Sequence, residues 1–126
     1  MTVDLKRGAA LAVFGLRIGY GAGLIAAPAP LARRWLGQGA ERAPVQVPVR
    51  ALGAREVVLH AGAALAAVRG GPLRPWLAAS IAGDLTDIAW TAVGRRELPS
   101  GAVGATAVVA GASAALSAAV AAALDE

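Results

Sequence analysis

Glu56, Asp84 and Asp87 sit inside long apolar runs, where carboxylates are rare. Arg17 and Arg55 interrupt the same kind of run, and Arg50 lies near the start of one. A charge at mid-bilayer costs ~2.5–3.5 kcal/mol on insertion scales, so such residues pair or face the protein interior. A buried carboxylate can donate a proton to a reacting group. Glu56, Asp84 and Asp87 are therefore the candidate catalytic acids. Arg17, Tyr20, Arg50, Arg55, His60 and Trp90 are the candidate ligand-binding side chains. Asp84 and Asp87 are spaced i, i+3 and share a helix face, which Ser80 and Thr91 extend by one turn each way. Gly53, Glu56 and His60 share a face of their own run, as do Arg17 and Tyr20. His60, the single histidine, is one turn from Glu56. It can relay a proton or serve as a hydrogen-bonded interior residue.

The apolar runs that must position these groups cover residues 8–27, 49–68, 75–93 and 101–124. Crossing the hydrocarbon layer takes about 20 apolar residues in a helix. The last run has 24 residues and no charge, more than a small soluble core requires. The expected fold is all-α: an antiparallel bundle of four transmembrane helices, a single membrane domain over residues 1–126, multi-pass in the cell membrane. Pro28 and Pro30 are expected to end the first span. Pro44 and Pro48 frame the second, with Pro48 suited to a first helical turn. The turns RGGPLRP and GRRELPSG are short, so the helices they join should be antiparallel neighbours. LARRWLGQ, after the first span, reads as a short amphipathic helix at the membrane surface. Trp76 and Trp90 suit an aromatic belt.

Depth can be counted from the side where the second span begins, at ~1.5 Å per residue. Arg17 then lies ~15 Å deep, Arg55 and Glu56 ~10–12 Å, Asp84 and Asp87 ~9–14 Å, and His60 ~18 Å. Five charges from three helices share one layer. With Arg50 reaching down, three cations match three anions. The first three spans should converge on this layer and the fourth should close the bundle. Lipid is as apolar as leucine, so close backbone approach, not apolar burial, holds such helices together. Gly15, Gly19 and Gly23 form one small-residue ridge, and Ala107, Gly111, Ala115, Ala119 and Ala123 another. Packing within the bundle is the expected use of both, with a homodimer seam as the alternative.

Composition narrows the classes further. The 126 residues allow one domain; 57% are hydrophobic and 16% charged, and the mean hydropathy is +0.61. The lipid bilayer is thus the expected partner, with a hydrophobic small molecule as a further one. The absence of cysteine excludes disulfides, thiolate metal sites and cysteine nucleophiles. A single histidine excludes a multi-histidine metal site, and no cofactor is expected. The net charge of +4 is spread over loops and spans, unlike a nucleic-acid face. Gly19, Gly21 and Gly23 follow no strand and do not make a dinucleotide turn. The N-terminal stretch has the outline of a signal peptide, but Arg17 breaks its apolar region, so retention is expected. The lysine and arginine distribution leans towards both termini outside.

The pattern R-x-x-G-x-R-E at Arg50, Gly53, Arg55 and Glu56, then G-D-x-x-D at Gly83, Asp84 and Asp87, resembles small four-helix integral membrane proteins of actinobacteria, loosely the DoxX-like and domain-of-unknown-function group. The resemblance implies a four-helix membrane fold and transfers no mechanism. Three functions follow from the residues. One is a protein whose ionic site binds a lipid-like or isoprenoid ligand or organises a membrane complex. Another is a small enzyme, an isomerase or terpene-cyclase-like, with a buried carboxylate as acid. The third is a proton-coupled transporter acting as a dimer.

Overall fold

A computed structural model describes residues 2–125. These residues form five α-helices and no strand: α1 (Val3–Ala26), α2 (Pro28–Leu36), α3 (Ala43–Val68), α4 (Arg74–Val93) and α5 (Ala102–Leu124). Short 3-10 turns at Gly37–Glu41 and Arg95–Glu97 complete the connections. Three of the helices, α1, α3 and α5, are long and apolar enough to cross a membrane. The fourth expected span, α4, has 20 residues, but its two aspartates dilute its apolar content and it does not join them. In α5 only 11% of the most apolar window is buried, so its aliphatic surface points outward.

Local chemistry explains the boundaries. The Thr2 hydroxyl accepts from the Leu5 N–H at 3.3 Å and caps α1. Pro28 ends α1 and also begins α2, where its fixed φ and missing N–H suit a first turn. Gly37 ends α2 at φ +64°, a left-handed angle that favours glycine. The Arg33–Glu41 ion pair braces the turn that follows. The chain already turns helical at Ala43, ahead of the expected start of the second span at Val49. Pro44, not Pro48, therefore occupies the first turn. Pro48 lies inside α3, where it costs one helical hydrogen bond. At the far end Arg7 donates to the carbonyls of Ala67, Gly70 and Gly71 at 3.1–3.3 Å. These carbonyls lie in and just after the last turn of α3, where helical N–H donors run out, and a cation there also suits the helix dipole.

The helices meet in two apolar clusters with polar groups between them. Ala10 and Phe14 of α1, Ala63 and Ala67 of α3, and Leu73 and Leu77 at the start of α4 form the first, with Val120 and Leu124 of α5 against it. Leu24, Ala32, Ala40 and Val49 form the second and hold α2 onto α1 and α3. Between them α1 and α3 come into backbone contact. A Cβ on Gly53 would lie 2.5 Å from the Gly21 carbonyl oxygen, and one on Gly21 would lie 2.6 Å from that of Gly53.

The two ridges picked out in the sequence do not do this work. A Cβ on Gly15 or Gly19 meets nothing within 4 Å, and one on Gly23 meets only the Leu31 side chain of α2. Ala107, Ala115 and Ala119 are exposed, and α5 buries Ala110, Ala114 and Ser117 instead. Perfect i, i+4 spacing walks slowly around a helix with 3.6 residues per turn. The buried row of α1 alternates steps of three and four, through Ala10, Phe14, Arg17, Gly21 and Leu24.

Candidate functional site

The buried row of α1 places Arg17 one turn from Gly21. The row of α3 places Glu56 one step from Gly53. Because the two glycines let the backbones touch, the side chains next to them can bond without stretching. Arg17 Nε donates to Glu56 Oε2 at 3.0 Å and Nη2 to Glu56 Oε1 at 3.3 Å. The other edge of the same guanidinium serves α4: Nη1 donates to Asp84 Oδ2 at 2.8 Å and Nη2 to Asp84 Oδ1 at 2.7 Å. One planar fork thus holds two carboxylates in bidentate fashion, the geometry in which arginine binds them most strongly. Arg17, Glu56 and Asp84 are 8%, 5% and 3% exposed.

His60 lies one turn further along α3, fully buried against Phe14. Its Nδ1 is 2.8 Å from the Glu56 main-chain oxygen and its Nε2 is 2.9 Å from Ser80 Oγ. A carbonyl only accepts, so Nδ1 carries the hydrogen, and Ser80 donates to Nε2 when the ring is neutral. The Glu56 carboxylate is farther from Nδ1, at 3.4 Å. His60 thus pins α3 to α4 with both nitrogens engaged.

Asp87 is different. It lies at 3.9 Å from Arg55, beyond hydrogen-bonding distance. The two side chains are 29% and 59% exposed, so this is a loose pair at the edge of the layer. Arg50 does not reach down to the layer as expected. Its Nε donates to the Ile25 carbonyl at 3.1 Å, an unpaired group in the last turn of α1 that lies closer than any carboxylate. Trp90 is 70% exposed and faces away from the ionic layer. On α4 it lies ~60° around from Asp87 and ~120° from Asp84, off the buried side of the stripe Ser80, Asp84, Asp87 and Thr91. The matched set of three cations and three anions reduces to one arginine on two carboxylates, plus the Arg55–Asp87 pair.

A cavity of about 570 Å³ opens beside this cluster. Arg17, Glu56, Asp84 and Asp87 form its polar wall, and Tyr20 flanks them. Aliphatic side chains of α1 and α5, among them Leu16, Leu24, Val108 and Val109, form the rest. The roof is α2. Trp35 lines the cavity and donates from Nε1 to Thr91 Oγ1 at 2.9 Å, while Thr91 donates to the Asp87 carbonyl at 2.7 Å. The surface helix expected from LARRWLGQ is therefore tied to α4 and covers the site. Trp35 and the 104–113 stretch of α5 escaped sequence reasoning. The amphipathic pattern of α2 was the available signal for the first. The second, a run of small and β-branched residues, carried none.

In class, the chain is an all-helical protein with three membrane-length helices and a few buried ionic residues beside a cavity. No protein-family model, curated protein or solved structure matches it.

Proposed function

We propose that the chain is a multi-pass protein of the cell membrane, an antiparallel bundle in which α4 crosses alongside α1, α3 and α5, and that its cavity binds a lipid-like or isoprenoid molecule. The crossing of α4 is supported by the pairing of its deepest charge. Asp84 is bonded through both oxygens to Arg17, which offsets much of the penalty for a charge at that depth. The binding reading is carried by the cavity, about 570 Å³ with aliphatic walls and one ionic side. Ligand sites commonly hold ~300–1,000 Å³ and combine apolar walls with a few convergent polar groups. Glu56 and Asp84, two of the candidate acids, have every carboxylate oxygen occupied by Arg17. That arrangement favours a fixed binding wall over proton donation by these two.

Filling the cavity tests the reading. Gly104 lines it, and a Cβ there meets nothing within 4 Å, so Gly104→Phe starts its side chain in open space at the cavity. In native mass spectrometry after gentle detergent extraction, the wild-type chain is expected to carry a hydrophobic adduct near one per chain, and Gly104→Phe to lose it. A wild-type spectrum as bare as that of the variant would contradict the reading.

A further inference from the structure

We infer that the molecule the cavity takes is a lipophilic cation, an apolar body bearing one ammonium-like charge, with Asp87 as its counter-ion. This rests on the cavity reading above and goes on to name the ligand's head. The cavity lining holds three carboxylates, Glu56, Asp84 and Asp87, and two guanidiniums, those of Arg17 and Arg34. Arg17 is consumed: three of its nitrogens make four bonds to Glu56 and Asp84. The Asp87 carboxylate accepts no hydrogen bond from the described residues, although it lines the cavity. Its one ionic neighbour, Arg55, stands 3.9 Å away with its own side chain 59% exposed, and does not line the cavity.

The lining therefore carries one carboxylate more than its guanidiniums, in a space whose other sides are largely aliphatic. A cation desolvated there regains its interactions from Asp87, whereas an anion would face three carboxylates. The rings of Tyr20 and Trp35 line the same space and offer π-faces to a positive charge. Arg34 is an exposed residue of α2 at the rim, and no hydrogen bond or ion pair joins it to Asp87.

Trp35 supplies the reporter once Trp76→Phe and Trp90→Phe have removed the other two tryptophans. Three quenchers share one brominated alkyl chain and differ in the head, which is an ammonium, an alcohol or a sulfate. The protein is held in a neutral maltoside detergent. The ammonium probe is expected to quench Trp35 saturably and to bind about tenfold or more tighter than the alcohol, with the sulfate weakest. Asp87→Asn should bring the ammonium probe to the level of the alcohol while leaving the alcohol unchanged, which shows the cavity to be intact. Equal affinity of all three probes, or an ammonium preference that survives Asp87→Asn, overturns the inference and leaves the cavity reading standing. Failure of every probe to saturate overturns both.

Discussion

Arg17→Met is expected to lower the unfolding free energy in detergent by ~3–5 kcal/mol, the usual cost of removing one partner from a buried ion pair. Methionine keeps most of the side-chain volume and removes the charge. Glu56 and Asp84 would then face each other without a counter-ion, at 5% and 3% exposure. The sharper half of this prediction is its reversal. The triple variant Arg17→Met, Glu56→Gln, Asp84→Asn leaves no uncompensated charge and should regain most of the loss, because buried ionic clusters replaced as a whole are often close to neutral in stability. Reversible denaturation followed by circular dichroism reads both values. A single variant as stable as the parent, or a triple variant no better than the single one, would show that the three groups do not act as a unit.

Gly53→Ala is expected to destabilise by ~1–3 kcal/mol, as overpacking does, although alanine is ordinarily the better helix former by ~1 kcal/mol. The reason is the contact of α1 with α3. The added methyl would lie 2.5 Å from the Gly21 carbonyl oxygen and 2.8 Å from Leu24 Cβ. Neither can swing aside, so the helices must part, and the Arg17–Glu56 bonds one turn away lengthen with them. Gly53→Leu should be worse. Gly15→Ala and Gly19→Ala, which meet nothing within 4 Å, should be neutral or slightly stabilising. Thermal melts of the four variants separate the cases. Equal effects at Gly19 and Gly53 would contradict the packing described.

The division between what the sequence made legible and what it hid follows from range. Charges in apolar runs stand out, and helical rise alone ranks their depth, so Arg17, Glu56 and Asp84 could be placed on one level before any coordinates. Face was readable within each helix, which is why Ser80 and Asp84, or Glu56 and His60, were correctly grouped. Rotation of one helix against another was not readable. It decided that Gly21 and Gly53 touch, while the more regular Gly15 and Gly19 look outward. Competition for partners was hidden as well. Arg50 has a free helix-end carbonyl closer than any carboxylate, and only the α1–α3 contact reveals it. The cavity depends on α2 folding over a gap, which no periodicity encodes.

The central claim is that charges from α1, α3 and α4 neutralise one another inside the bilayer, and this requires α4 to cross it. The chain has no cysteine, so single cysteines placed at Pro72 and Ser100, on either side of α4, give an unambiguous readout with a membrane-impermeant thiol reagent. Labelling of Pro72→Cys and Ser100→Cys from opposite faces of the membrane is the expected result. Labelling of both from the same face would leave Asp84 outside the hydrocarbon and contradict the claim.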